Sequence, residues 1–299
     1  MLEVVSKISI SGVASTYVGY VRNKKNNLIE FVDSTPSPQS DRRRKWVIIV
    51  SSQIGCRLNC RFCDASEYFK GNLTRDEIIS QVDYVVNMNS FNPCRTEKFK
   101  IQFARMGEPS LNNAVLDAMT ELQKRFPHYI PCIATTAPKG SEQYFERLLR
   151  IKDIFSDFQL QFSVNSADES QRDEIMPFRK QPLEWISAYS ERFYQRGKRK
   201  IVLNFALSPD ARINYGRLAK LFNPKINIIK LTPVNPTRKA EKNGFETFLD
   251  YNSIYSYLKH HSYRLSEYGF QSIISIGDMR ENTVLSNCGQ IANILAVSS

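Results

Sequence analysis

From Trp46 onward the chain alternates apolar, β-branched runs with amphipathic stretches, and that alternation leaves few folds open to it. "WVIIV" (46–50) is the first run. Thr74 and Glu77 then form a capping-box pattern ahead of Ile78, Ile79, Val82, Val85 and Val86 at helical spacing, which predicts a helix from about Thr74. "FKIQFARMG" precedes a helix over Ala114 to Phe126, and "YIPCIATTA" precedes one near 141–150. "FQLQFSVNS" leads to a helix near 182–196, "KIVLNFAL" to one near 215–222, and "KINIIKLTPV" to one within 250–267. The tail adds the strand-like "FQSIISIG" and a short helix after Cys288. Strands that keep alternating with helices predict an α/β fold with a parallel sheet, with sites at the carboxyl ends of its strands.

The first 45 residues read as a small β addition. "STYVGYVRN" and "NLIEFVDS" are strand-like and separated by the turn-forming "KKNN". The polar "STPSPQSDRRRK" reads as an exposed loop, with Arg42, Arg43, Arg44 and Lys45 as a candidate phosphate contact. Three divisions follow: 1–45, the β extension with its basic loop; 46–240, the main α/β unit; and 241–299, a helix, a strand and the Cys288 loop. No stretch reaches the roughly 18 uninterrupted apolar residues of a membrane span, so no membrane role is expected. The start, "MLEVVSKISISGVAST", lacks the pattern of a secretory signal, and a cytoplasmic location is expected. The formal net charge of +11 suits an anionic partner such as RNA.

"SSQIGCRLNCRFCDAS" (51–66) holds Cys56, Cys60 and Cys63, half of the chain's six cysteines. A disulfide framework does not suit a cytoplasmic α/β chain. A structural zinc site would show a second close pair of ligands. Here Cys94, Cys132 and Cys288 are scattered singly, and His128, His260 and His261 are not placed like ligands. A redox pair of Cys60 and Cys63 would leave Cys56 unexplained. Three thiolates from one loop suit a cubane iron–sulfur cluster with one iron left open to a substrate or cofactor.

The loop Cys56-x-x-x-Cys60-x-x-Cys63, with Phe62 between the last two, resembles the cluster loop of the radical S-adenosylmethionine enzymes. The resemblance implies a partial (β/α)6 barrel with a small N-terminal β extension and a C-terminal extension. It also implies a [4Fe–4S] cluster whose open iron chelates S-adenosylmethionine, one-electron cleavage of that cofactor to a 5′-deoxyadenosyl radical, and an electron donor such as a flavodoxin or ferredoxin. "SSQIGC", "MGEPSLN" (106–112), "RDEIMPFRK" (172–180) and "NCGQIAN" (287–293) are similar to motifs of the ribosomal-RNA adenine methyl synthases within that superfamily. Carried over by position, Gly107 and Glu108 would hold the methionyl amine. Phe62, Thr135, Ser163, Val164, Asn165 and Asn235 would make further cofactor contacts, with Asn235 at the ribose. Cys288 would carry the methyl group that is delivered to an sp2 carbon.

Two departures bear on what the resemblance implies. The family's second cysteine, seven residues before the first cluster ligand, falls on Ile49, which can neither take a proton nor form a disulfide. The chain also begins almost at the β extension, so the family's helical RNA-binding domain is expected to be missing. The basic segment "TPVNPTRKAEKNG" is left as a possible phosphate contact. A small-molecule or peptide substrate, or an RNA-binding relative without turnover, stays open beside RNA carbon methylation.

Overall fold

A computed structural model describes residues 2–34, 41–248, 250–277, 280 and 290–297. The chain opens with β1 (Leu2–Ile10), β2 (Ala14–Val21) and β3 (Leu28–Ser34), followed by β4 (Lys45–Val50). A small hairpin of β5 (Gln53–Gly55) and β6 (Phe69–Asn72) encloses the three-cysteine loop. After it come α1 (Arg75–Asn87), β7 (Lys98–Phe103), α2 (Ala114–Arg125), β8 (Ile130–Thr135) and α3 (Glu142–Ile151). The next elements are β9 (Gln159–Ser163), α4 (Glu169–Ile175), α5 (Leu183–Phe193), β10 (Ile201–Leu207), α6 (Tyr215–Leu221) and β11 (Asn227–Pro233). The chain then runs through α7 (Arg238–Lys242), α8 (Tyr251–Ser266), β12 (Ser272–Ile274) and α9 (Gln290–Val297).

One sheet runs in the order β1-β2-β3-β4-β7-β8-β9-β10-β11-β12. From β4 to β12 every neighbouring pair is parallel, and β1, β2 and β3 join the β4 edge as an antiparallel meander. This is the α/β, partial-barrel architecture expected from the strand–helix alternation. The period of two decides which residues of each strand meet the helices. Trp46, Ile48 and Val50 of β4, with Phe99, Ile101 and Phe103 of β7, pack in one core with Ile78 and Val82 of α1 and Leu116 and Met119 of α2. Each such side chain, fully buried, contributes about 1.5–3 kcal/mol. The alternate residues Lys45, Val47 and Ile49 of β4, and Lys100 and Gln102 of β7, face the lumen instead.

The capping box at α1 is present in full. The Thr74 hydroxyl accepts from the Glu77 N–H at 3.2 Å, and the Glu77 carboxylate accepts from the Thr74 N–H at 2.8 Å. The sequence did not announce β1, an edge strand whose residues alternate between half-buried and exposed without a solid apolar face. It also missed α4 and α7. Both are capped by a readable residue, Asp168 and Thr237, but at seven and five residues they are too short to show a period.

Within the basic run at 42–45, Arg42 is put to a different use from the one expected. Both Arg42 terminal nitrogens bond the buried Asp33 carboxylate at 2.8 Å, and the Trp46 indole N–H donates to the same carboxylate at 2.7 Å. Arg42 therefore ties the loop to β3 rather than waiting for a phosphate. Among the described residues no helix is long and apolar enough to cross a membrane.

Candidate active site

The cluster loop is anchored by the residues that precede it. Ser52 N–H and Gln53 N–H donate to the Met106 carbonyl at 2.8 and 3.2 Å, and Met106 N–H donates to the Ser51 hydroxyl at 3.1 Å. The Gln53 side-chain oxygen accepts from Glu108 N–H at 3.0 Å, while Asn112 donates to the carbonyls of Ser52 and Leu73 at 2.8 Å each. Two sequence motifs, "SSQIGC" and "MGEPSLN", are thus two halves of one hydrogen-bonded joint at the ends of β4 and β7. Two glycines permit it. A Cβ on Gly55 (φ +76°) would meet the Tyr68 carbonyl oxygen at 1.9 Å, and one on Gly107 (φ +96°) would meet Gln53 Cβ at 2.5 Å. Both positions are left-handed as well as crowded.

A second strap comes from the segment after β11. The Thr237 hydroxyl donates to the Phe62 carbonyl at 2.8 Å, Lys239 N–H donates to Asp64 at 2.9 Å, and the Asn243 amide donates to the Arg61 carbonyl at 2.8 Å. The Lys239 ammonium bonds Asn59 at 2.5 Å and Ser66 at 2.6 Å. Within "TPVNPTRKAEKNG" Lys239 is thus engaged with the cysteine loop, while Arg238 and Lys242 are exposed. Within "RDEIMPFRK", the fully buried Arg172 donates to the Gln181 carbonyl at 2.9 Å and Lys180 donates to the Met176 carbonyl at 2.9 Å. Arg61 N–H meets the Ile175 carbonyl at 3.0 Å, so this motif buttresses the same loop.

The three thiols border a cavity of about 230 Å³ at the carboxyl ends of the strands, opposite Glu108, Thr135, Ser163 and Asn165. Burial, then the neighbouring Cys63, pushes the Cys56 thiol up to about 12 and the Cys60 thiol well above its ordinary value. Without a metal these groups stay protonated; a bound cationic centre would reverse that and hold them as thiolates. Among the described residues no three His, Cys, Asp or Glu side chains gather closely enough for a single ion. Thiols spread around a cavity fit a multi-iron cluster, in which each ligand takes a separate iron.

Glu108, only 4% exposed, is the carboxylate of the cavity. One oxygen accepts from the Ser110 N–H (3.0 Å), the Ser110 hydroxyl (2.7 Å) and the Thr135 hydroxyl (2.5 Å). The other accepts from the Thr136 N–H and hydroxyl, both at 2.9 Å. Three of those donors are hydroxyls that can rotate away when a stronger donor arrives. Beside it, Arg105 lines the cavity and pairs with the fully buried Glu30 of β3 at 2.5 Å. The other Glu30 oxygen accepts from the Ala292 N–H at 2.7 Å, which fastens the start of α9. Ile291 and Ala292 pack in one apolar cluster with Val18, Leu28, Ala65 and Met106, and with Cys56 and Cys63 against it.

No protein-family model matches the chain. It is 27% identical over 243 residues to the probable dual-specificity RNA methyltransferase RlmN of Heliobacterium modesticaldum, covering 74% of this chain and 60% of that protein. It is 31% identical over 241 residues to the probable dual-specificity RNA methyltransferase RlmN of Leptospira biflexa, covering 77% and 63%. The dual-specificity RNA methyltransferase RlmN of Geobacter sulfurreducens is 31% identical over 211 residues, covering 68% and 55%. The chain is a relative of the RlmN methyltransferases. It spans about three fifths of the length of the first of these curated relatives, 60% and 63%. The fold resembles that of Streptococcus suis SuiB bound to S-adenosylmethionine, with a TM-score of 0.54 at 12% identity over 78% of this chain and 50% of that one. That likeness is one of fold, a partial barrel built on a parallel sheet.

Of the residues carried over from the RlmN-like motifs, the structure brings Cys56, Cys60, Cys63, Phe62, Gly107, Glu108, Thr135, Ser163 and Asn165 to one cavity. Two roles look different in place. The close approach that Gly107 allows is made by Gln53 rather than left open for a ligand. Thr135 donates to Glu108, and its oxygen accepts from the Ala137 N–H at 3.0 Å, so it also orients the carboxylate. Asn165, at φ +59°, accepts from the Ala206 N–H at 3.1 Å and donates to the Met176 sulfur at 3.4 Å. Val164 is fully buried in the core and does not border the cavity. Asn235 is exposed and lies outside the cavity lining, while Val234 before it is buried. Cys288 lies outside the described residues. Cys94 is exposed, while Cys132 and Ile49 border the opposite end of the lumen.

Asn204 of β10 was missed. It borders the cavity, and its buried side-chain oxygen has no hydrogen-bond partner among the described residues. The available signal was an asparagine inside the apolar "KIVLNFAL", at a position that the period of two turns inward.

Proposed function

We propose that the chain is a radical SAM enzyme that methylates an sp2 carbon of RNA, adenine-like, with Cys56, Cys60 and Cys63 holding a [4Fe–4S] cluster. The observation that carries the reading is the convergence of these thiols and Glu108 on one cavity, in a relative of the RlmN methyltransferases. When bound, the cluster supplies the electron that cleaves S-adenosylmethionine to methionine and a 5′-deoxyadenosyl radical. Glu108 accepts hydrogen bonds from the methionyl ammonium, a charge-assisted contact for which the hydroxyls of Ser110, Thr135 and Thr136 give way. The unpartnered Asn204 oxygen accepts from a hydroxyl or amine of the same cofactor, the ribose-side contact first expected of Asn235. Phe62 forms an apolar wall of the cavity, and its ring meets Phe245 edge-on at 6.0 Å.

Cys288 carries the transferred methyl on its sulfur in this reading. Its support is the "NCGQIAN" match and the packing of Ile291, three residues further on, in the cluster that includes Cys56 and Cys63. A flavodoxin or ferredoxin supplies the electron, and the formal +11 charge favours an RNA partner. Ile49 favours a second reading, a small-molecule or peptide acceptor, since isoleucine cannot release product as the family's cysteine does.

The test is an anaerobic reconstitution with iron and sulfide, followed by S-adenosylmethionine and dithionite. The expected products are 5′-deoxyadenosine and a Cys288 peptide heavier by one methyl group. Deoxyadenosine with unmodified Cys288 retires the methyl-carrier role and leaves other radical chemistry. A full cluster with neither product, in the presence of RNA, overturns the enzymatic reading.

A further inference from the structure

The lumen has a second opening at the amino ends of the parallel strands, away from the thiols. There a cavity of about 530 Å³ is lined by Lys45 of β4, Lys100 of β7, Lys230 of β11, and Arg199 and Lys200 just before β10. Cys132 of β8 sits among them, and no Asp or Glu lines the cavity among the described residues. The interior of a closed (β/α)8 barrel is ordinarily filled with branched apolar side chains. Five cations with no carboxylate in the lining need another explanation.

Some of that charge is accounted for. Arg199 pairs with Asp157 at 2.6 Å, Lys200 donates to the Pro224 carbonyl at 2.8 Å, and Lys100 donates to the neutral Gln159 oxygen at 2.9 Å. The ammonium groups of Lys45 and Lys230 make no hydrogen bond or ion pair with any described residue. Cys132 does not offset them, because its thiol is buried and pushed up to about 11. Burial pushes Lys45, Lys100 and Lys230 below the ordinary lysine value, and Lys100 in turn lowers Lys230. Desolvated like charges of this kind are costly, and they are relieved either by losing a proton or by a bound anion, which restores the charged form.

We propose that this lower lumen binds a small ligand bearing phosphoryl groups, held by Lys45, Lys100 and Lys230. The volume is that of a small-molecule pocket. Lysines from three separate strands, the neighbours β4 and β7 and the more distant β11, line one cavity and suit the several oxygens of a phosphate or diphosphate. The site shares no lining residue with the thiol cavity, so it stands whether or not the methyltransferase reading does.

Isothermal titration of the full chain with inorganic pyrophosphate, at low ionic strength, tests it. One-site binding is expected, weakened about tenfold or more by Lys230→Met or Lys45→Met, since each removes one charge-assisted contact. Lys124→Gln, on the outer face of α2, should leave binding unchanged. Circular dichroism of each variant confirms folding; if Lys230→Met fails to fold, Lys45→Met at the rim carries the test. A parallel titration with ADP separates sources: tighter binding than pyrophosphate marks a nucleotide-like ligand, equal or weaker binding an inorganic one. Absence of pyrophosphate binding overturns the proposal. So does an equal loss in Lys124→Gln, which would mark diffuse surface attraction.

Discussion

The two ends of one lumen are built from alternate residues of the same strands, yet they solve opposite electrostatic problems. At the carboxyl ends a single carboxylate, Glu108, receives hydrogen bonds from three residues and needs no cation. At the amino ends cations outnumber every local partner, and lysines stand where apolar packing is usual. The difference lies in how each end is held. The upper end is locked by the joint between "SSQIGC" and "MGEPSLN" and by the strap of Thr237, Lys239 and Asn243. Such a frame can hold charge at a fixed place without a counterion, because oriented N–H and O–H dipoles supply the compensation. At the lower end Arg199, Lys200 and Lys100 find local partners, but Lys45 and Lys230 find none among the described residues, and that charge calls for a ligand.

Four experiments would break or sharpen that contrast. The largest effect is expected at the thiols: Cys60→Ala should abolish cluster-bound iron and 5′-deoxyadenosine formation, measured by metal analysis and chromatography. Full iron content in the variant would remove the cluster from the upper end. Next is the buried pair that fastens α9. Arg105→Met leaves Glu30 buried without its cation and should cost about 3–5 kcal/mol in denaturant unfolding. The double change with Glu30→Gln should recover part of that, and a fully additive result would show that the pair is not coupled.

A smaller effect is expected for Glu108→Gln, which keeps the shape and removes the charge. The dissociation constant for S-adenosylmethionine should rise by about 10–100-fold with the fold unchanged, as a charge-assisted bond becomes a neutral one. An unchanged constant would mean that the donors around Glu108 are structural alone. The smallest effect has the opposite sign. Lys230→Met should raise stability by about 1 kcal/mol, or the melting temperature by about 2–4 °C, because it removes a desolvated charge. A fall in melting temperature would show that Lys230 is already compensated in the free protein, and the two ends would then no longer differ in kind.

Much of the upper end was legible before any coordinates. The cysteine spacing, the "MGEP" turn and the capping box at Thr74 are local signals, carried by residues close in sequence, and each is found where it was expected. The signals that failed were those that depend on distant partners. Arg42 and Lys239 read as free cations although each has an acidic residue within two positions, Asp41 and Glu241, because neither of these is the partner it takes. Their partners lie nine residues away at Asp33 and 173 residues away at Ser66. Asn235 looked like a ligand by position, but a loop's direction after a strand is set by what it packs against, and here Val234 is buried while Asn235 is exposed. Asn204 went unnoticed because an isolated polar residue in an apolar strand has no meaning until the inward face is known.

The sequence by itself determined the alternation of strands and helices, the parallel order that follows from it, and the three-thiol loop. Each of these is written in periods and spacings of a few residues. Only the tertiary structure decided that Glu108 is compensated by Ser110, Thr135 and Thr136, that Glu30 and Arg105 tether α9 beside the thiols, and that lysines from β4, β7 and β11 share one lumen. Lys45 and Lys230 are far apart along the chain, and a strand's period says only that each lies on one face. Closing the sheet into a curved lumen turns that shared face inward, and proximity there is a property of curvature that no local pattern encodes.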